Sequence, residues 1–144
     1  MRSPPHSNAH LLFSFLLHLF TLPILNADVG TAAYYGRPYL PTVCFGSDSS
    51  QFPANNLIAA AGEGLWDNGA SCGRQYLVRC LSSETAGGCS GRGPMIQVTV
   101  VDEADALASM PSVNRTTLVL SRTAFGMIAD ISVAMKINIE FAEV

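Results

Sequence analysis

The sequence predicts an all-β fold, a small closed barrel stapled by disulfides. Three observations predict it. Several short segments alternate apolar and polar residues with period two, as half-buried strands do. Only one or two brief stretches have helical spacing, and nothing repeats in the βαβ rhythm of a parallel-sheet protein. Four cysteines, an even number, follow an N-terminal segment of secretory type in a chain of 144 residues.

That segment begins with a polar stretch, Met1 to His10, carrying one cation, Arg2. Leu11 to Leu25 is an apolar run interrupted by Ser14, His18, Thr21 and Pro23, and Asn26-Ala27 ends it with a small residue. This is the layout of a secretory signal peptide cleaved after Ala27. The run falls short of the roughly 20 residues that span a bilayer. The expectation is a signal over 1–27 and one domain over 28–144, secreted and not membrane-spanning.

Arg2 is the only charged residue before position 28, so the formal net charge of −3 becomes −4 over 28–144. No basic stripe exists, which argues against nucleic acid as a partner. Cys44, Cys72, Cys80 and Cys89 imply two disulfides, and four cysteines allow three pairings. The gaps are wide, there is no CxxC pair, and every histidine lies before residue 28. Zinc therefore lacks its ligand spacing, and no cofactor is implied.

Asp28 to Tyr35 reads as the first strand, followed by a proline-rich loop with Arg37 and Tyr39. The polar stretch at 47–56 reads as a loop. Leu57 to Arg74 organises the chain: a compact apolar run at Ile58 to Ala61, a hydrophobic anchor at Leu65 and Trp66, an Asn68-Gly69 turn, and Cys72 to pin the end. Gln75 to Cys80 is a strand, and Ser82 to Pro94 is turn-rich. Met95 to Val101 is the clearest strand, with Ile96, Val98 and Val100 on one face and Gln97 and Thr99 on the other. Asp102 ends it and opens an acidic loop with Glu103 and Asp105.

Ala106 to Ser112 is ambiguous, with room for a helical turn. Asn114-Arg115-Thr116 is an N-glycosylation sequon, which places Asn114 at the surface of a secreted chain. Thr117 to Leu120 is a short strand. Ser121 caps a helix over Arg122 to Ala129, with Phe125 and Ile128 on one face. Lys136 to Phe141 alternates as the last strand, with Ile137, Ile139 and Phe141 inward.

The blocks GTAAYYGRPY at 30–39, CFG at 44–46, LIAAAGEGLWDNGASCGRQYLVRC at 57–80, VTVVD at 98–102, TLVLSRTAFGMIAD at 117–130 and KINIEF at 136–141 resemble the plant EG45-like domain family, which includes the plant natriuretic peptides. The resemblance spans essentially all of 28–144. It implies a six-stranded double-psi β-barrel with one or two short helices, similar to barwin and to the first domain of expansins. It also implies the pairings Cys44–Cys72 and Cys80–Cys89. The family usually carries two more cysteines just after the VVD strand. Here EADALASMPSV has neither, so the loop from Glu103 to Arg115 is expected to be looser than in relatives.

Related barrels include glycoside hydrolases and lytic transglycosylases. These need a carboxyl group to protonate the leaving oxygen, and the hydrolases place a second one across the bond. By resemblance, the aromatic pair of the groove is Tyr34 and Tyr35, its threonine is Ala33, and its central-strand aspartate is Asp102. The second aspartate falls on Val119 and a histidine on Thr117. Valine cannot donate a proton, so no catalytic residue is assigned and a non-enzymatic protein is expected. Glu103 and Asp105 would raise the Asp102 pKa by like-charge repulsion. An Asp102–Glu103 dyad fails because adjacent strand residues point to opposite faces. Asp102 also suits a plain strand-end role, bonding nearby backbone amides. No histidine remains to activate a serine.

Three functions are weighed. The first is an extracellular apoplastic signal in water and ion balance and in stress, read by a plant cell-surface receptor through exposed Arg37, Glu63, Asp67 and Arg74. The second is a cell-wall polysaccharide-binding module using Tyr34, Tyr35 and Tyr39 beside Asp102; strand alternation buries at least one of Tyr34 and Tyr35. The third, a glycoside hydrolase, is disfavoured by Val119. A monomer is expected in each case.

Overall fold

The computed structural model describes residues 27–91, 93–107 and 115–144. Six strands close into a barrel: β1 (Asp28–Tyr35), β2 (Ile58–Ala61), β3 (Gln75–Ser82), β4 (Met95–Glu103), β5 (Leu118–Ser121) and β6 (Lys136–Glu143). Their order around the wall is β1-β5-β2-β4-β3-β6, and closure leaves no free edge. β1 runs parallel to β5 and β2 parallel to β4; the other pairs are antiparallel.

β2 differs from the sequence expectation. The run Ile58 to Ala61, read as an apolar patch lying on a core, is itself a strand in the wall between β5 and β4. Alanine is a poor strand former, so propensity gives no signal here. Pairing on both edges decides the conformation instead. All four residues are buried.

The interior is filled as the alternation predicts. Tyr76, Val78 and Cys80 of β3, Ile96, Val98 and Val100 of β4, Leu118 and Leu120 of β5, and Ile137, Ile139 and Phe141 of β6 form one buried cluster. Ala59 and Ala61 belong to it, while Ala60 between them faces outward into a second cluster. Helix α1 (Glu63–Trp66) is a single turn. Its Leu65 and Trp66 are half-buried against the core, as expected of an anchor. Asn68 and Gly69 both take positive φ, 50° and 92°, as the turn requires.

Helix α2 (Arg122–Ile128) plugs the barrel with Ala124, Phe125 and Ile128, all fully buried. Ser121 is its N-cap. Its Oγ accepts from the Ala124 amide at 3.1 Å and donates to the Asn56 carbonyl at 2.5 Å. One hydroxyl thus joins the helix to the loop that leads into β2. The disulfides are Cys44–Cys72 and Cys80–Cys89. A short 3-10 turn covers Ala104–Ala106 and Leu107 after it is extended; residues 108–112 of the helical turn expected over 106–112, and Asn114, lie outside the described residues.

Replacing Ser121 by alanine removes both bonds and leaves the Ala124 amide without its cap. The expected loss is about 2 kcal/mol of unfolding free energy, read as a lower urea midpoint with an unchanged slope.

Candidate functional site

β4 does not run evenly past β2. Ala59 pairs with Val100, but Ala60 pairs with Asp102, so Val101 is an extra residue and forms a β-bulge. Without it Asp102 would share the inward parity of Ile96, Val98 and Val100. With it, Asp102 stands beside outward-facing Ala60. Ala60 pairs in turn with Val119, and Val119 with Ala33. One row of side chains, Ala33–Val119–Ala60–Asp102, therefore crosses four strands on the outer wall.

Asp102 is only 5% exposed. Its Oδ1 accepts from the Val43 amide at 3.0 Å and from its neighbour, the Glu103 amide, at 2.9 Å. Burial raises its pKa above the ordinary carboxylate value, and these two amides oppose the rise. The cause thus differs from the expected repulsion by Glu103 and Asp105: removal from water dominates.

The bulge also anchors loops. The Cys44 amide donates to the Val101 carbonyl at 3.3 Å, and the Gly73 amide to the Val100 carbonyl at 2.8 Å. The Cys44–Cys72 bridge ties those two loops to each other.

Tyr35 caps this outer layer and is 2% exposed. It packs with Ala60, Ala104 and Val119. Its hydroxyl is buried without a hydrogen-bond partner among the described residues. Burial, then the Asp102 carboxylate, pushes its pKa far above the ordinary phenol value. Neither ring face is open to a ligand. Tyr34 points the other way and is half-buried against Phe125, with centroids 4.8 Å apart. Tyr39 is half-buried, edge-on to Tyr35 at 5.2 Å, with the Arg37 guanidinium 6.0 Å from its ring centre.

Tyr39 and Arg37 border an open cleft of about 300 Å³ that also takes in Ser49, Phe52 and Asn56. Phe52, Ser49 and Asn56 carry no sequence motif that singles them out; the fold alone collects them. The remaining charged candidates sit elsewhere. Asp67 and Arg74 pair with each other at 3.0 Å, Arg74 lies 3.6 Å from Glu143, and Glu63 lines a different cleft. No cluster of metal-ligating side chains occurs among the described residues.

Fold and site together define the class, a disulfide-stapled double-psi β-barrel domain. The family model described as "Lytic transglycolase", a double-psi barrel model, matches residues 58–141. An EG45-like domain containing protein of Citrus jambhiri is 36% identical over 118 residues, covering 80% of each chain. Putative EG45-like domain containing protein 1 of Arabidopsis thaliana is 34% identical over 135 residues, covering 94% of this chain and 98% of the relative. The chain belongs to the EG45-like domain family.

Among solved structures, the expansin of Clavibacter michiganensis superposes with TM-scores of 0.56 as the apo protein and 0.58 as a mutant in complex with cellohexaose. Both are 21% identical to this chain, cover 82% of it, and share its fold. The chain spans half the length of that expansin.

Asp102→Asn keeps an acceptor for both amides and removes the buried charge. The folded-state pKa of Asp102 is raised, so its ionisation costs stability as pH climbs from the ordinary carboxylate value through the raised one. Asp102→Asn should therefore be at least as stable as the wild type at pH 7, and the pair should differ less in acid. Asp102→Ala orphans the Val43 and Glu103 amides and should lose about 1–3 kcal/mol at both pH values. Denaturant titration at pH 3 and pH 7 reads all three proteins.

Proposed function

We propose that this chain is a secreted, non-catalytic plant apoplastic protein that binds cell-wall polysaccharide. The outer-wall row carries the reading. Val119 stands two strand spacings from Asp102, roughly 10 Å, near the span at which inverting glycosidases hold their two carboxyls. That position is aliphatic and 0% exposed. The one carboxylate in the row is occupied by backbone amides, which suits a loop tie better than a proton donor.

The binding surface is the cleft at Tyr39. A half-buried aromatic ring, a second aromatic at Phe52, and Arg37, Ser49 and Asn56 give an apolar face with hydroxyl-matching groups around it. The cellohexaose complex of the expansin with the same fold is consistent with a sugar ligand. Secretion is supported by the signal-type N-terminus and the two disulfides.

Signalling through a cell-surface receptor is a second reading. Family membership supports it, as does the exposure of Arg37, Glu63 and Asp67. Its residues are divided among the Tyr39 cleft, the Asp67–Arg74 pair and a separate cleft, so no single patch unites them.

Pull-down on insoluble cellulose and pectin tests the reading. The folded protein should be retained, Tyr39→Ala should bind about 5- to 30-fold more weakly, and no reducing sugar should be released. Release of reducing sugar that Asp102→Asn abolishes would falsify the non-catalytic assignment. Saturable binding to plant cell surfaces without polysaccharide retention would favour the receptor.

A further inference from the structure

The cleft at Tyr39 is electrically lopsided. None of the residues lining it is acidic, and Arg37 is the one charged side chain among them. Arg37 is exposed. The ion pairs among the described residues use Arg74 and Arg79, so Arg37 has no carboxylate partner there. Its guanidinium lies 6.0 Å from the Tyr39 ring centre, the outer limit of a cation–π contact, which leaves its N–H donors available. Asp48 precedes Ser49 in the chain but does not line the cleft, and its Oδ1 accepts from the Ser50 amide at 2.8 Å. A larger cleft at the start of β1 sets Asp28 and Glu63 beside Arg115, so it offers an anion no such excess of positive charge.

The Tyr39 cleft is also tied to the core. Tyr39 packs edge-on to Tyr35, which is 2% exposed. The Asn56 carbonyl accepts from Ser121 Oγ at the N-cap of α2. The Phe52 amide donates to the Ser49 carbonyl at 3.0 Å, closing the turn that brings both residues to the cleft. A ligand therefore meets rings and polar groups already in place, which lowers the cost of ordering them.

We propose that this cleft recognises a uronic-acid residue, so that the wall polymer this chain prefers is an acidic one. The guanidinium fork takes the sugar carboxylate, Tyr39 and Phe52 take the apolar face of the ring, and Ser49 and Asn56 take hydroxyls. A volume of about 300 Å³ stands at the small end of ligand sites and suits a short stretch of polymer. The net charge over 28–144 is −4, so the protein's overall field repels a polyanion, and a preference for one arises only at a local cation. A neutral glucan keeps the ring contacts and loses the charged one. This inference rests on the polysaccharide-binding reading and adds the class of sugar to it.

The test measures binding of the folded protein to soluble de-esterified polygalacturonate, to the same polymer methyl-esterified, and to a neutral β-glucan. Methyl esterification removes the charge and leaves the sugar ring. The de-esterified polymer should bind about 3- to 10-fold more tightly than the other two. Added salt should shrink that advantage and leave the neutral polymers unaffected. Arg37→Gln should abolish the advantage while keeping the affinity for neutral polymer. Arg37→Lys should keep part of it, because lysine is a point charge without the fork. Tyr39→Ala should weaken binding to all three. Failure to bind any of the polymers overturns the polysaccharide reading and the inference together. Equal binding to the esterified and de-esterified forms, or an advantage that survives Arg37→Gln, overturns the inference alone.

Discussion

The bulge at Val101 turns β4 by one residue, and much of this domain hangs on that turn. It moves Asp102 out of the row of Ile96, Val98 and Val100 and sets it beside Ala60 on the outer wall. It also fixes how the Val100 and Val101 carbonyls are used, by the Gly73 and Cys44 amides. Asp102 adds a third tie, to the Val43 amide. The Cys44–Cys72 bridge locks the two loops at the place where these bonds already hold them. A bridge laid over existing hydrogen bonds restricts the unfolded chain without demanding a new native geometry.

That arrangement accounts for the electrostatics. A carboxylate taken from water must be held by donors or change its protonation. Asp102 receives two amides, both from backbone, and no cation within salt-bridge distance among the described residues. Tyr35 is buried beside it with its hydroxyl unpartnered among the described residues, so one outer layer holds two buried polar groups in an otherwise aliphatic row. The proposed function follows from that composition. The outer-wall row is closed and apolar, and open polar surface is found instead around Tyr39.

The strands with clean alternation, β3, β4 and β6, were legible because one face of each fills the barrel. The cap at Ser121 and the α2 face were legible because a capping hydroxyl and an i, i+3 apolar pair are local patterns. β2 was not, because four small or branched apolar residues carry no period when both faces are covered. The candidate site was partly legible. Asp102 and Tyr39 stood out by chemistry, but the burial of Tyr35 and the grouping of Phe52 with Tyr39 depend on residues distant in the chain.

The sequence by itself determined the class of fold, the interior face of most strands, the helix start and the number of disulfides. Each of these follows from local periodicity, capping or cysteine count. Only the tertiary structure decided which way Asp102 faces. An unbroken alternation from Ile96 sends it inward, and the extra residue that reverses it has no sequence mark. The bulge exists because β2 and β4, far apart in the chain, must keep register while two loops bond to the same turn of backbone.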